Sequence, residues 1–279
     1  GDLAKSVLVN SAEDVYGLVS RKNPLGRGVR FGIAEQNMAM MSAALTQDIL
    51  PGGYKPVSVF GSYAVFSSMM TNCIRLAVIG NQLNPENKGF FILLAAHDGP
   101  ETGEDGPTHQ GLFWMSYYDA LPGIKVYKPT DANETIEMLF YALEKGEPIA
   151  LSVTRPDTLV LKRGNGVPPA REAINGAYVY KQFLGKGKKV VLAICGAQVL
   201  LNVLEILPEL EKQGLDIKII VVTSPELFEE LRQTNPAKAQ SILPDAERAL
   251  VVALHNGWPG FLHPFILDSD YSRKTIGIN

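Results

Sequence analysis

Between His97 and Gln110 the chain reads His-Asp-Gly-Pro-Glu-Thr-Gly-Glu-Asp-Gly-Pro-Thr-His-Gln, which places two histidines, four acids and three glycines in fourteen residues. Histidine is the side chain best suited to proton transfer near neutral pH. A loop that holds two of them among carboxylates is therefore a candidate for acid–base work. A second candidate is Glu35, an acid at the expected start of a helix, where a carboxylate meets the positive end of the helix dipole. Each residue also has a plainer explanation. His97 could be a satisfied core histidine, His109 a helix cap, Phe66 a core aromatic, and Asp105-Gly106 ordinary turn chemistry. Only their combination is specific.

The elements that must carry these residues follow from the hydrophobic pattern. The apolar run 89–96, Gly-Phe-Phe-Ile-Leu-Leu-Ala-Ala, reads as a buried strand that delivers His97 at its carboxyl end. In open α/β sheets that end is where ligands bind. A strand at Val29–Ile33 precedes a helix from Glu35 to about Leu50, and Val57–Phe60 is a short strand. Residues 63–79 carry helical spacing, with Phe66, Met70, Cys73, Ile74 and Ala77 on one stripe. Beyond the loop come a helix from about Leu112, a strand at Ile124–Lys128, a helix over Asp131–Lys145 and a strand at Ile149–Val153. The alternation predicts a mostly parallel sheet with helices on both faces. Residues 155–176 are rich in Pro and Gly and read as a linker. A second α/β unit follows: a strand at Val190–Ile194, a helix over Ala197–Gln213 closed by Gly214, a strand at Asp216–Val222, a helix opening at Ser224-Pro225-Glu226, and a strand at Ala249–Leu254.

The composition narrows the class. The chain has 279 residues, 46% of them apolar and 20% charged, with a net charge of −3. These are globular values that give no reason to expect nucleic acid or an anionic membrane as partner. Cys73 and Cys195 lie in apolar segments and read as reduced core thiols, which favours a cytoplasmic protein. No apolar run approaches the length of a spanning helix. The start Gly1-Asp2-Leu3-Ala4-Lys5 lacks signal-peptide character and an initiator methionine, so a fragment or processed subunit is expected.

Three strings in this order, Arg30-Phe-Gly-Ile-Ala-Glu-Gln-Asn-Met38, the segment around Tyr63 and Phe66, and Gly103-Glu-Asp-Gly-Pro-Thr-His-Gln110, resemble the thiamine-diphosphate enzymes of the transketolase family. Leu121-Pro-Gly-Ile-Lys-Val-Tyr-Lys-Pro-Thr-Asp-Ala-Asn-Glu134 and Leu151-Ser-Val-Thr-Arg155 continue the likeness along the chain. The resemblance implies two doubly wound α/β domains. Residues 1–165 would form a pyrimidine-binding domain and 166–279 a smaller transketolase C-terminal-like domain, with truncation expected at the amino end of the first and the carboxyl end of the second.

It also implies roles. Glu35 would hydrogen-bond the aminopyrimidine ring of thiamine diphosphate, Phe66 would stack on that ring, and Tyr63 would line the same pocket. His109 would stand beside the reacting carbon and transfer protons to or from sugar hydroxyls. Asp105 would select stereochemistry at a hydroxyl. His97, Arg155 and Ser6 would hold the sugar phosphate, and Asp2 would lie near the cofactor. The reaction implied is transfer of a two-carbon ketol unit from a ketose phosphate to an aldose phosphate. Ala34-Glu35-Gln36 is instead more typical of deoxyxylulose-phosphate synthase, and Met69 stands where a third aromatic is expected. A 2-oxoacid dehydrogenase β-type subunit and an inert regulatory subunit are further alternatives. The Gly-Asp-Gly…Asn motif that holds the diphosphate and its Mg2+ or Ca2+ is missing from the sequence. The implied partners are thus an amino-terminal diphosphate-binding domain or subunit, in a homodimer or heterotetramer, with sugar phosphates as substrates.

Overall fold

The computed structural model describes residues 15–270 and 274–277. The chain divides into two compact units. One comprises 1–124 with 145–155, the other 125–144 with 156–279. Along the chain the regular elements are α1 (Glu35–Leu45), β1 (Val57–Tyr63), α2 (Thr71–Leu83), β2 (Phe90–Ala96), α3 (Trp114–Asp119), β3 (Lys125–Tyr127), α4 (Ala132–Lys145) and β4 (Ile149–Val153). They continue with β5 (Ala177–Lys181), β6 (Lys188–Cys195), α5 (Ala197–Lys212), β7 (Leu215–Val222), α6 (Pro225–Thr234), α7 (Pro236–Ile242), β8 (Val251–His255) and β9 (Thr275–Ile276).

In the first unit β2 lies between β1 and β4, parallel to both. It is buried almost throughout, as its unbroken apolar run requires. The register aligns Tyr63 with Ala96 and Ala96 with Val153, so three strands end at one level. Everything that leaves those ends, Phe66, His97 and Arg155 included, starts from a common rim.

Three of the expected elements differ from the sequence pattern. No strand forms at Val29–Ile33, which stays irregular up to the start of α1. α1 stops at Leu45 rather than Leu50, and the Thr46 hydroxyl donates to the Ala43 carbonyl at 2.8 Å. The stretch read as one helix from residue 63 is a 3-10 turn, Ala64–Met70, followed by α2. The tighter turn begins directly at the end of β1, where the chain must reverse within a few residues.

The second unit holds a sheet in the order β5-β7-β6-β8-β9, parallel except for β5 against β7. Its core joins Leu192, Ile194, Leu200, Val203, Ile217, Ile219 and Val221 with Leu161 and Tyr178. Segment 156–176 is more than a linker: Leu161 is buried in that core, and Arg163 is paired to Asp131 and Glu134. Ser224 caps α6, accepting from the Leu227 amide as the sequence suggests.

Gly176 stands at the junction of a 3-10 turn and β5 with φ +76°, and its carbonyl accepts from the Thr223 and Ser224 amides. A Cβ there would lie 2.2 Å from the Phe228 nitrogen and 2.3 Å from the Ser224 oxygen. Gly176→Ala is expected to lower the stability of this unit by about 2–4 kcal/mol, read from its urea midpoint. A loss below about 0.5 kcal/mol would show that the backbone there relaxes freely.

Candidate functional site

The rim of the first sheet gathers an aromatic and imidazole cluster. Tyr63 is the last residue of β1, and Phe66 sits one turn further on in the 3-10 segment. Their rings are nearly parallel, 13° apart, with centroids 6.1 Å from each other. The His97 ring lies 4.0 Å from that of Tyr63, and His109 stands edge-on to Phe66 at 5.3 Å and to Tyr63 at 5.9 Å. Tyr63 is buried whereas Phe66 is half-buried, so part of the Phe66 ring remains accessible.

Glu35 opens α1 as the acid of its first turn, and no side chain caps that helix. Its Oε1 accepts from the Ser62 hydroxyl at 3.3 Å, which ties the carboxylate to the residue before Tyr63. The carboxylate is partly exposed, at the positive end of the helix dipole. His109 closes a 3-10 turn, and its Nδ1 lies 3.0 Å from the Thr108 hydroxyl. With that hydroxyl as donor, the ring proton resides on Nε2.

Asp105 and Arg155 meet each other: the Arg155 Nη1 forms an ion pair with the Asp105 carboxylate and donates to the Thr102 carbonyl. Both side chains are partly exposed. A positive group at this rim is already balanced by a carboxylate from the same loop. Asp2 and Ser6 lie outside the described residues. Tyr63, Phe66, His97 and His109 thus share one cluster, Glu35 joins it through Ser62, and Asp105 and Arg155 form a pair of their own.

His97 adopts φ +57°, in the left-handed region that side-chain-bearing residues seldom use. Asp98 is 2% exposed and takes 2.7 Å hydrogen bonds from Trp114 Nε1 on Oδ1 and from Ser152 Oγ on Oδ2. The sequence pattern assigned no structural role to Asp98, Ser152, Trp114 or Ser62. The His97-Asp98 pair and Leu151-Ser-Val-Thr-Arg155 were visible, but their contact spans 54 residues. Among the described residues, no group of three or more His, Cys, Asp and Glu side chains is arranged to hold a metal ion. No helix among them is long and apolar enough to cross a membrane.

An aromatic shelf, two histidines and a carboxylate gather at the carboxyl rim of a parallel α/β sheet, the end at which open sheets of this kind bind ligands. Residues 3–159 match the family described as "Transketolase, pyrimidine binding domain", and the chain belongs to that family. It is 30% identical over 262 residues to a transketolase of Aquifex aeolicus, covering 92% of this chain and 35% of that protein. Against a transketolase of Halalkalibacterium halodurans the identity is 32% over 248 residues, with 87% and 34% covered. The chain spans about a third of the length of these curated relatives. Among solved structures, a transketolase from Campylobacter jejuni superposes over 100% of this chain and 38% of its own, with a TM-score of 0.76 at 27% identity. A split gene transketolase solved as an inactive β4 tetramer shares the fold over 98% of this chain and 85% of its own, with a TM-score of 0.59 at 20% identity.

Proposed function

We propose that this chain supplies the pyrimidine-binding half of a thiamine-diphosphate-dependent transketolase. In this reading it moves a two-carbon ketol unit between sugar phosphates once joined to a diphosphate-binding domain or subunit. The observation that carries the reading is the convergence of the Tyr63–Phe66 shelf, His97 and His109 at the strand ends, with Glu35 hydrogen-bonded to the residue beside Tyr63.

These residues fit the aminopyrimidine end of the cofactor. The accessible part of Phe66 offers a surface for a flat ring, and the partly exposed Glu35 carboxylate can hold a proton against a ring nitrogen. When bound, thiamine diphosphate supplies the nucleophilic carbon that cleaves and remakes the bond beside a ketone. The protein then has to place that ring and move protons. His109, held by Thr108, can pass a proton to or from a substrate hydroxyl through Nε2. In this reading His97, nearly buried beside Tyr63, and Arg155 take the phosphate end of the substrate. A phosphate arriving there competes with Asp105 for Arg155, which leaves the Asp105 carboxylate to accept from a sugar hydroxyl.

Mg2+ or Ca2+ and the diphosphate are held by the partner half, the active form is at least a pairwise assembly, and the protein works in the cytoplasm. One observation favours a second reading, a synthase that joins pyruvate to glyceraldehyde 3-phosphate: the Ala34-Glu35-Gln36 string.

The deciding experiment assays the chain together with its diphosphate-binding half, thiamine diphosphate and Mg2+. Xylulose 5-phosphate plus ribose 5-phosphate is run beside pyruvate plus glyceraldehyde 3-phosphate. Turnover of the first pair is expected. Turnover of the second pair alone would make the enzyme a synthase, and turnover of neither would overturn both readings.

A further inference from the structure

We infer that Asp98 is a positioning residue for the phosphate end of the site, a buried clasp that fixes where His97 points and holds the strand of Arg155 to the loop of His109. The inference rests on the function proposed above for its kinetic consequence, but not for its geometry.

Three structural features converge on this residue. Its amide donates to the Val153 carbonyl at 3.2 Å, which extends the β2–β4 pairing by one step past Ala96. Its two carboxylate oxygens reach different elements: Oδ2 accepts from Ser152 on β4, three residues before Arg155, and Oδ1 accepts from Trp114 at the start of α3. Its backbone, with that of Gly99, also bridges to Gly111, two residues beyond His109. Gly111 is itself wedged in place, since a Cβ there would come 2.6 Å from the Ala64 Cβ, in the turn that carries Phe66.

His97 is therefore suspended between two fixed points. On one side Ala96 is in register with Tyr63 and Val153; on the other Asp98 is held by its backbone and both carboxylate oxygens. The chain closes the gap with φ +57° at His97, and that conformation lays its ring 4.0 Å from Tyr63. Nothing about a left-handed histidine is intrinsically favourable, so its surroundings must impose it. The Asp98 anchor supplies that constraint.

The geometry also says which substitutions keep the clasp. Asn at position 98 can accept from Trp114 through its oxygen and donate to a Ser152 hydroxyl that rotates to receive it, so the clasp survives without the charge. Ala leaves the Trp114 and Ser152 donors in the core with no partner.

The test has a structural arm on the chain itself. The His97 ring protons, assigned by comparison with His97→Ala, should be displaced in the NMR spectrum by the neighbouring Tyr63 ring. Asp98→Ala should move them toward free-histidine positions, while signals from the second unit stay put and Asp98→Asn keeps the parent pattern. If Asp98→Ala does not fold, Ser152→Ala and Trp114→Phe each release one arm and should give partial shifts. Unchanged His97 signals in a folded Asp98→Ala protein, or in both single-arm variants, would overturn the clasp. Asp98→Asn behaving like Asp98→Ala would overturn it too, by making the charge the cause.

The kinetic arm uses the assembled enzyme. Asp98→Ala should raise KM for xylulose 5-phosphate about tenfold or more, with KM for unphosphorylated xylulose changed less than about twofold, and Asp98→Asn should restore the parent values. An equal rise for both sugars would refute positioning at the phosphate end. If the parent assembly turns over neither sugar, the proposed function fails, and the His97 signals still decide the clasp.

Discussion

Glu35→Gln is expected to lower kcat for ketol transfer by the assembled enzyme about a hundredfold or more, while leaving the fold intact. The substitution removes the ability to hold and release a proton and changes little else. Gln keeps the shape of the side chain and can still accept from Ser62 through its carbonyl oxygen. What stability it loses is the favourable placement of a negative charge at the start of α1, about 0.3–1 kcal/mol for a partly exposed group. The measurement pairs kcat with a thermal unfolding curve for each protein. A large fall in kcat with a nearly unchanged midpoint assigns Glu35 to the chemistry. Unchanged turnover would mean that the carboxylate is only a helix-start acid, and would favour a chain that keeps the fold without using the site.

The site was legible in the sequence to the extent that its parts are close in the chain. The run Phe90–Ala96 read as a buried strand because seven successive apolar residues followed at once by turn residues are too few for a buried helix. His97 then had to emerge at a strand end, and the glycines and prolines after it had to form turns. Tyr63 and Phe66, three residues apart, come together in one cluster even though their segment is a 3-10 turn and not the expected helix. Local spacing does not separate those two conformations when both bring residues i and i+3 to one side.

The buried polar partners could not be read in that way. Asp98 and Ser152 are 54 residues apart, and Lys128 meets His255 across 127, with a 3.1 Å separation of Nζ and Nε2. Each of these residues alone looks like a turn acid, a strand-end serine or a surface lysine. Only long-range packing brings them together: parallel-strand register carries Asp98 to Ser152, whereas Lys128 and His255 stand at the ends of strands from two different sheets. The same reason hid the structure of 156–176. Its proline and glycine content is that of a linker, but Arg163 has its partners at Asp131 and Glu134, about thirty residues earlier.

That last cluster carries the largest stability effect expected in the molecule. Glu134, fully buried, lies in the first turn of α4, where Asp131 caps the helix by accepting from the Glu134 amide at 2.9 Å. One Glu134 oxygen accepts from the amide and hydroxyl of Thr130, at 2.7 and 2.6 Å. The other accepts from Arg163 at 2.9 Å and from the Tyr178 hydroxyl at 2.5 Å, while Arg163 also donates to Asp131 at 2.8 Å. Burial opposes the charge on Arg163, but the hydrogen bonds to Glu134 and Asp131 outweigh it and hold the guanidinium pKa above its ordinary value. Burial and the adjacent Glu134 carboxylate push the Tyr178 phenol up as well, so it stays protonated and donates.

Glu134→Ala removes the acceptor that all of these donors share. It leaves a phenol, the Thr130 amide and hydroxyl, and one side of a largely buried guanidinium without their acceptor, with Asp131 alone still paired to Arg163. The expected loss is about 3–5 kcal/mol, the range for breaking one side of a buried charge pair. The chain has two tryptophans, Trp114 in the first unit and Trp258 in the second, so urea unfolding followed by Trp258 fluorescence in a Trp114→Phe background reads the second unit. Arg171→Ala is the control. It breaks the exposed 3.4 Å pair between Arg171 and Glu137 of the same helix and should cost less than about 1 kcal/mol. Similar small losses for both variants would mean that water reaches Arg163 once Glu134 is gone, and the cluster would then be a surface network and no anchor for segment 156–176.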